Sequence, residues 1–504
     1  MQASLAKLRH FILITLIFSL LFFVTYFNKT PQVTVGKTLD EQRLLKTIKK
    51  ESTVCDSVDI QWLASDRKYW DGWTDKSMFI KPDGTFTQSN IYVSEGEEIC
   101  IVVLLGPTPA KSSIKPEEHV GPEDSIVMFA NGESTKINIR LEQHQRQTNA
   151  YFAAVKFTQP DTYRLRATNE YRSYFWESPI YHSYRPSHFR SQNKLIVKEK
   201  KTPKPVLPPC SFGNMSVTGS WRNAQLFEKS NPAEYYNMFE NTQGEFIENE
   251  RVFVPDQCHL EYKSNGQGVQ CLGKKTIHVW GDANIARNLK ALSRGSNWCN
   301  INEINKITNK KKKQEAMRCL CNDEESSIMY PWLQNASIPL TIGNSFEVDT
   351  RIYYNNIGSI SFSNMAPFIK KNKHQEYPAD VVILSLGNSD IREIRVSPKE
   401  FASSFKKLLT TLRHDVYPNQ KIIVRTPQYF CCGVIWGTSW NSGRSLAFSM
   451  AVREVVESLE GVLLWDVHSI GNDDTTCMES GTSYSKRNVI NLENQILWNL
   501  VCTN

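Results

Sequence analysis

The chain has 504 residues, of which 40% are apolar and 11% aromatic, enough for two or three packed domains. Charged residues make up 22% of the chain, which excludes a disordered composition. The net charge of +7 lies partly in two lysine runs, at 198–204 and 310–313, that carry no interleaved aromatic residues. We therefore expect no nucleic-acid partner.

The first predicted element is a membrane anchor. Lys7, Arg9 and His10 precede a charge-free stretch, residues 11–27, which as a helix would rise about 25 Å. Basic residues on its amino-terminal side favour a cytoplasmic tail, residues 1–10, and a lumenal body. This pattern predicts a single-pass type II protein of the Golgi or the cell surface that contacts the bilayer through its anchor. The alternative is a cleaved signal peptide, which would release the body as a secreted protein.

Twelve cysteines are typical of a protein that folds in an oxidising compartment. Their even number fits a set of disulfide bonds, whose pairing the sequence does not fix. They form no paired CxxC knuckles, so we expect no metal site, and we expect no cofactor. The sequons that begin at Asn214 and Asn335 predict glycosylation sites, which agree with a lumenal body.

A β-sandwich is the next predicted element. Residues 28–84 have the polar composition of a stem, and residues 85–185 then contain short apolar or alternating runs separated by polar connections. This pattern predicts an Ig-like β-sandwich, with strands at 91–93, 99–105, 137–141, 151–157 and 163–167. Pro160-Asp161 predicts a hairpin turn between the last two of these strands. Five prolines and a basic cluster in 186–209 predict an interdomain linker.

From residue 210 to 504, apolar strands alternate with helical stretches. The strands are predicted at 276–280, 381–386, 422–425 and 462–465, and the helices at 284–292, 398–412, 443–459 and 489–500. Such alternation predicts an α/β domain with a parallel sheet covered by helices on both faces. In this architecture functional residues lie where the strands end, at the carboxyl edge of the sheet.

Three of these strand ends carry polar residues of interest. The first strand is followed by Gly281-Asp282-Ala283, the second by Gly387-Asn388-Ser389, and the last by Asp466-Val467-His468. Arg425 ends the strand between the last two, and it is a candidate lining residue of the same cleft because arginine suits carboxylate and carbohydrate binding.

Gly281-Asp282 resembles the first block of the GDSL/SGNH hydrolases, in which the third residue is a serine nucleophile. Gly387-Asn388-Ser389-Asp390 resembles the block that supplies an oxyanion-hole donor in that family. Upstream, Cys210, Gly219-Ser220-Trp221 and 255–258 are similar to the entrance of PC-esterase domains. With the sandwich and anchor before it, the layout resembles the NXPE family, which pairs a neurexophilin-like domain with a PC-esterase domain. The resemblance implies an SGNH-like fold, and an activity that adds or removes O-acetyl groups on glycans.

The chain departs from that pattern where catalysis needs it. Ala283 has no hydroxyl and cannot form an acyl-enzyme. The family's Asp-x-x-His pair would fall just before the final helix, yet 481–490 contains neither aspartate nor histidine. Asp466 and His468 are the candidate residual pair, two residues apart at a strand end.

We therefore predict a degenerate esterase domain, a pseudoenzyme that binds a glycan or a glycoprotein through the retained cleft. Two alternatives stay open at this point. One is an active glycan O-acetyltransferase or acetylesterase with a rearranged site. The other is an adhesion or ligand-like protein that acts through the β-sandwich.

Overall fold

A computed structural model describes residues 53–57, 77–80, 86–87, 89–104, 124–144, 150–171, 187–191, 193–200, 207–210, 218–242, 251–263, 265–281, 283–294, 308–310, 336–342, 346–393, 395–429, 441–471 and 487–502. All elements named below belong to the unit Val54–Asn504. The predicted tail and anchor, Asp282, and the sequons at Asn214 and Asn335 lie outside the described residues. No helix within the described ranges is long and apolar enough to cross a membrane.

The amino-terminal half of the described chain is built from strands. In chain order they are β1 (Ser77–Ile80), β2 (Phe86–Thr87), β3 (Ile91–Ser94), β4 (Glu98–Leu104), β5 (Ser125–Asn131), β6 (Thr135–Ile139), β7 (Glu142–Gln143), β8 (Ala150–Lys156), β9 (Asp161–Tyr171), β10 (Ser187–Arg190) and β11 (Leu195–Lys198). One sheet has the order β2-β1-β4-β8-β7. The other has the order β6-β5-β9-β11-β3, with β10 also paired to β9.

A shared core lies between these two sheets. Alternate residues of β3 are buried, and Ile91 and Val93 face inward. Ile101 and Val103 from the first sheet join Leu165 and Ala167 from the second in one buried cluster. The two sheets thus pack face to face as a β-sandwich, as the strand pattern predicted. Its Ig-like character stays a prediction.

The sandwich extends beyond both of its predicted ends. Its first strand begins at residue 77, inside the predicted stem 28–84, and a disulfide joins Cys55 to Cys100 of β4. Strands β10 and β11 lie inside the predicted linker 186–209. Leu195 and Val197, at alternate positions of β11, are buried in the sandwich core. The sequence predicted a linker here because lysines and prolines surround these apolar residues. The boundaries predicted at 84 and 185 are therefore wrong.

The hairpin predicted at Pro160-Asp161 is also wrong. Strand β8 pairs with β4 and β7, whereas β9 pairs in the opposite sheet, so the chain crosses between sheets at this point. The carboxylate of Asp161 instead accepts hydrogen bonds from Ser134 N at 2.8 Å and Thr135 N at 3.0 Å. Asp161 thus stabilises the turn between β5 and β6, which is distant in the sequence. The turn preference of the Pro-Asp dipeptide does not predict such a long-range contact.

The second sheet of the sandwich continues past the predicted domain boundary at residue 210. Strand β12 (Gly219–Asn223) pairs with β6 on one side and with β13 (Arg251–Pro255) on the other. Trp221 of β12 nevertheless packs into the core of the α/β half, and its indole Nε1 donates to the carbonyl of Ile470 at 3.1 Å. A single strand thus belongs to both halves of the structure.

The carboxyl-terminal half alternates helices and strands. In chain order its further elements are α1 (Ala224–Ser230), α2 (Pro232–Thr242), α3 (Asn265–Leu272), β14 (Thr276–Gly281), α4 (Ala283–Arg294), β15 (Ala336–Ile342), β16 (Phe346–Asn356), α5 (Ala366–Lys373), β17 (Val381–Ser385), α6 (Asn388–Arg392), α7 (Pro398–Thr411), β18 (Lys421–Arg425), α8 (Ser442–Glu457), β19 (Val462–Trp465), α9 (His468–Gly471) and α10 (Arg487–Cys502). The sheet order is β15-β16-β14-β17-β18-β19, parallel except for the edge strand β15.

Helices cover both faces of this sheet, as predicted. On one face, apolar residues of α4 and α10 pack against Val279, Ile383 and Ile423. On the other, α7 and α8 pack against Val382 and Val424. The strands are buried on both faces and consist of nearly continuous apolar runs, which is why the sequence predicts them well. The result is a three-layer α/β/α domain with a parallel sheet.

Candidate functional site

The carboxyl ends of four neighbouring strands lie in one row. Gly281 of β14 is paired with Ser385 of β17, Ser385 with Arg425 of β18, and Arg425 with Trp465 of β19. The strand ends singled out from the sequence are therefore neighbours at one edge of the sheet. This edge is where parallel α/β folds place ligands and reacting groups.

The first strand end places Ala283 at the start of a helix. Only glycine fits at Gly281, because an added Cβ would lie 2.7 Å from Ile285 Cγ2 and 2.9 Å from the carbonyl oxygen of Ser385. Helix α4 then begins at Ala283, where the free N–H groups of a first turn favour negative charge. A serine at this position would be suitably placed for acyl transfer. Alanine carries only a methyl group, which has no nucleophilic atom.

The second strand end is shaped by Gly387, whose φ of 110° is a left-handed conformation that favours glycine. A Cβ there would also lie 3.0 Å from both Phe401 and Pro427. The buried Asn388 begins helix α6, and its Oδ1 accepts a hydrogen bond from Gln428 N at 3.3 Å. This bond joins the loops that follow β17 and β18. The oxyanion-donor role of Asn388 stays a prediction.

Asp390, in the same block, has a structural role. Its buried carboxylate accepts hydrogen bonds from the hydroxyls of Ser359 at 2.6 Å and Ser361 at 2.9 Å, and from Ile360 N at 3.1 Å. Ser389 is half-buried and makes no hydrogen bond within the described part of the chain. The Gly-Asn-Ser-Asp block thus fixes the loop after β16, and no described residue forms a hydrogen bond that would activate the Ser389 hydroxyl.

Arg425 does not line a cleft, which corrects the prediction for that residue. Its side chain is fully buried beneath α10, where Nη2 lies 2.8 Å from Glu493 Oε2. The guanidinium also lies 5.6 Å from the ring centroid of Trp465. Asn288 of α4 donates from Nδ2 to the same Glu493 oxygen at 2.9 Å. Arg425 and Glu493 therefore form a buried ion pair that attaches the final helix to the sheet.

Asp466 is committed to structural partners. Its Oδ2 accepts hydrogen bonds from Arg453 Nη2 at 2.8 Å and from the Ser469 hydroxyl at 2.7 Å. Its Oδ1 accepts from the Thr426 hydroxyl at 3.2 Å and from Ser469 N at 3.3 Å, at the start of α9. A carboxylate neutralised by an arginine and holding a helix start is a weak partner for a catalytic imidazole.

His468 is enclosed rather than presented to a substrate. Within the described residues its imidazole makes one hydrogen-bond contact, Nε2 to the Ser445 hydroxyl at 3.4 Å, and Ser445 is itself fully buried. The ring of Tyr429 packs edge-on against the imidazole, with centroids 5.8 Å apart. Burial lowers the pKa of His468 well below its ordinary value of 6.5, and the charge of Arg453 lowers it further, against the opposing effect of Asp466. His468 is therefore a neutral, poorly basic group at pH 7.

A second buried histidine, His278 of β14, is part of the core. Its Nδ1 lies 2.8 Å from the Tyr417 hydroxyl, to which the Trp280 indole also donates at 3.0 Å. Burial lowers the pKa of His278 from 6.5 to about 4, partly opposed by its hydrogen bond to the Tyr377 carbonyl. Both buried imidazoles thus stay uncharged in the folded chain at pH 7.

The two buried histidines should lower the free energy of unfolding at acid pH. Because the folded-state pKa of His278 is lowered, the unfolded chain binds the proton first as the pH drops below 6.5. Each imidazole should lower the free energy of unfolding by up to about 1.4 kcal/mol per pH unit, over the range from 6.5 down to its folded-state pKa. Urea unfolding at pH 7.0, 6.0 and 5.0 measures this slope, and a His278→Gln variant should show a smaller one. An equal slope in the variant would contradict the assignment.

The sequence did not single out Glu493 or Asn288. Glu493 is the one acidic residue of the final helix, within the run Arg487–Cys502. A lone carboxylate in a helix whose other polar residues after its first turn are amides was the available signal for an internal ion pair. No group of three His, Cys, Asp or Glu side chains in the described ranges is arranged to hold a metal ion.

No protein-family model matches this chain, and no curated protein sequence matches it. Its fold is similar to solved esterases at low identity. A family 3 carbohydrate esterase from Talaromyces cellulolyticus is 12% identical, with 44% of this chain and 94% of that chain covered and a TM-score of 0.28. Similarities that cover more of this chain involve two other carbohydrate esterases.

A family two carbohydrate esterase from Clostridium thermocellum, solved in complex with cellohexaose, is 12% identical, covers 81% of this chain and 91% of its own, and has a TM-score of 0.26. A carbohydrate esterase of family 2 with a carbohydrate-binding domain, from Corynascus thermopiles (Myceliophthora fergusii), is 11% identical. The match covers 80% of this chain and 98% of that chain, with a TM-score of 0.27.

Proposed function

We propose that this chain is a non-catalytic member of the SGNH-like esterases, a pseudoenzyme of the NXPE type that binds a glycan or a glycoprotein. The observation that carries the proposal is the state of the reacting groups at the sheet edge. Ala283 occupies the helix start where a nucleophile would stand. The nearby imidazole, His468, is buried and contacts a buried serine instead of an open cleft.

The backbone of an esterase site supports the SGNH-like part of the proposal. Gly281 ends strand β14 and Gly387 follows the neighbouring parallel strand β17, and a helix begins within two residues of each glycine. Both positions tolerate only glycine, for reasons of close approach at Gly281 and of backbone conformation at Gly387. Such a frame can hold an acyl group and its oxyanion, but without a nucleophile and base it supplies binding and little rate.

The lumenal, type II placement is part of the same proposal. The anchor predicted at 11–27 and the glycosylation predicted at Asn214 and Asn335 lie outside the described residues. Support comes from three disulfides in the described chain, which join Cys55 to Cys100, Cys210 to Cys258 and Cys271 to Cys502. Disulfides persist in the secretory pathway and are rare in the cytosol.

Ester hydrolysis tests the absence of catalysis. We expect the purified full-length chain to hydrolyse p-nitrophenyl acetate and O-acetylated sugars no faster than denatured protein. Loss of the nucleophile in a serine enzyme lowers kcat by about six orders of magnitude. The measurement is the initial rate for the wild type, for His468→Gln and for the matched control His414→Gln, which removes an exposed imidazole.

All three rates should be equal and at background. A wild-type rate above background that falls more than about 100-fold in His468→Gln but not in His414→Gln would contradict the proposal. That result would place a working base at His468 and favour the alternative of an active esterase with a rearranged site.

A further inference from the structure

A cavity of about 270 Å³ lies between the β-sandwich and helix α8. The sandwich contributes Ile126, Arg140 and Tyr151 to its wall, and the α/β half contributes Tyr429, Ser442 and Leu446. Among the described residues of the sheet edge, Gly387 and Asn388 do not line it. The cavity lies beside that edge, because Tyr429, which follows strand β18, belongs to its wall and also packs against His468.

A buried carboxylate fixes the two walls of this cavity relative to each other. Glu170 of β9 accepts hydrogen bonds from the Ser125 hydroxyl at 2.5 Å, from Ser442 N at 3.1 Å and from the Ser442 hydroxyl at 2.7 Å. At the start of α8, the backbone N–H of Ser442 thus donates to Glu170, and the backbone N–H of Arg444 donates to the capping side chain of Asn441. Because the carboxylate spans both halves, the cavity is preformed. The helix start itself is not available to an anionic ligand.

Arg140 is the cation among the described residues that line the cavity. The side chain is exposed, and within the described residues its guanidinium has no hydrogen-bond or ion-pair partner. Desolvation is the first cause that lowers the pKa of Arg140, and the charge of Arg453 is the second. The nearby carboxylate of Glu142 opposes both effects by raising that pKa, and an anion seated beside Arg140 would act in the same direction by offsetting the repulsion from Arg453.

The rest of the lining combines acceptors with apolar surface. The Tyr151 hydroxyl donates to Asp124 Oδ2 at 2.9 Å, and a carboxylate offers about four lone-pair sites to donors. Apolar side chains on both walls, including Val127, Leu446 and Met450, form most of the remaining surface. A ligand that suits this lining carries a carboxylate for Arg140, hydroxyl donors for Asp124 and a C–H face for the apolar wall.

We infer that the cavity between the sandwich and α8 binds an acidic sugar unit, a single hydroxylated ring that bears a carboxylate. The volume lies just below the range of about 300–1,000 Å³ usual for small-molecule sites, which admits one ring and not an extended oligosaccharide. The inference rests on the proposed function, because it locates and specifies the glycan that a non-catalytic chain would recognise.

Calorimetric titration of the full-length chain with glucuronate, glucose and acetate tests the inference. Glucuronate should bind, and glucose and acetate should bind at least about tenfold more weakly, because each lacks one half of the recognised chemistry. Arg140→Gln should weaken glucuronate binding about 10- to 100-fold, the usual value of a hydrogen bond to a charged group. Arg164→Gln, an exposed arginine of β9 outside the lining, is the matched control and should change nothing.

A second variant tests the location of the binding site without changing any charge. Ala447→Phe fills the cavity from α8 and should also abolish glucuronate binding, provided that its thermal unfolding shows a folded chain. The inference is overturned if wild type does not bind glucuronate, if glucose or acetate binds as tightly, or if both variants keep wild-type affinity. None of these results touches the proposed absence of catalysis, which the ester-hydrolysis rates decide separately.

Discussion

Replacing Arg425 with methionine should lower the free energy of unfolding by about 3–5 kcal/mol. The substitution leaves the Glu493 carboxylate, which is fully buried, without the guanidinium 2.8 Å away. An uncompensated buried charge is among the most destabilising changes known in protein cores. Urea unfolding at pH 7, followed by tryptophan fluorescence and circular dichroism, measures the loss.

The matched double variant separates the pair from its parts. Arg425→Met combined with Glu493→Leu removes both charges, and it should recover most of the lost stability because no buried ion is left behind. The coupling energy of the double-mutant cycle should exceed about 1 kcal/mol. Losses below about 1 kcal/mol in the single variants, or a double variant equal to their sum, would contradict a buried ion pair.

Removing the disulfide between Cys271 and Cys502 should cost about 2–5 kcal/mol. The bond joins the ends of α3 and α10 across a sequence separation of 231 residues, so it restricts a long loop of the unfolded chain. It also holds the helix that carries Glu493 against the sheet. The variant is Cys271→Ser with Cys502→Ser, compared by urea unfolding with the wild type.

A matched control is the pair Cys55→Ser with Cys100→Ser, which opens a loop with a separation of 45 residues. On loop-closure entropy alone the longer loop is worth about 1.5 kcal/mol more. A smaller loss for the Cys271–Cys502 variant than for this control would show that the long disulfide does not stabilise the α/β half in the way described.

The parallel strands of the α/β half were predictable because burial on both faces requires continuous apolar runs. Strand β17, Val381–Ser385, is fully buried along its length and matches its predicted position closely. Strands β10 and β11 were not predictable from composition, since their pairing with β9 is long-range and lysines stand around them. The edge strand β15 was missed because Pro339 lies inside it, and a proline within an apolar run argues against a strand.

The parts of the site that depend on residues close together in the sequence were predictable. Gly281 and Gly387 lie beside the strands they end, and their close contacts need glycine. The role of Arg425 was not predictable, because its partner Glu493 is 68 residues further along the chain. The cavity beneath Tyr429 was missed for the same reason, since its walls come from the sandwich and from α8.

The proposed loss of catalysis does not rest on Ala283 alone. A helix start and two glycines lie at the strand ends of the proposed SGNH-like site, while His468 is buried and Asp466 is held by Arg453. A frame kept without its reacting groups favours a role in binding. The same frame explains why restoring one group alone is not expected to restore a rate.

The most direct test of this account is to put the hydroxyl back. The Ala283→Ser variant, treated with a fluorophosphonate that labels activated serines, should show no more labelling than the wild type, because His468 is buried against Ser445 and is poorly basic. Rapid labelling of Ala283→Ser that disappears when His468→Gln is added would contradict the account. It would show that the imidazole reaches the nucleophile position and that the chain lacks only its serine.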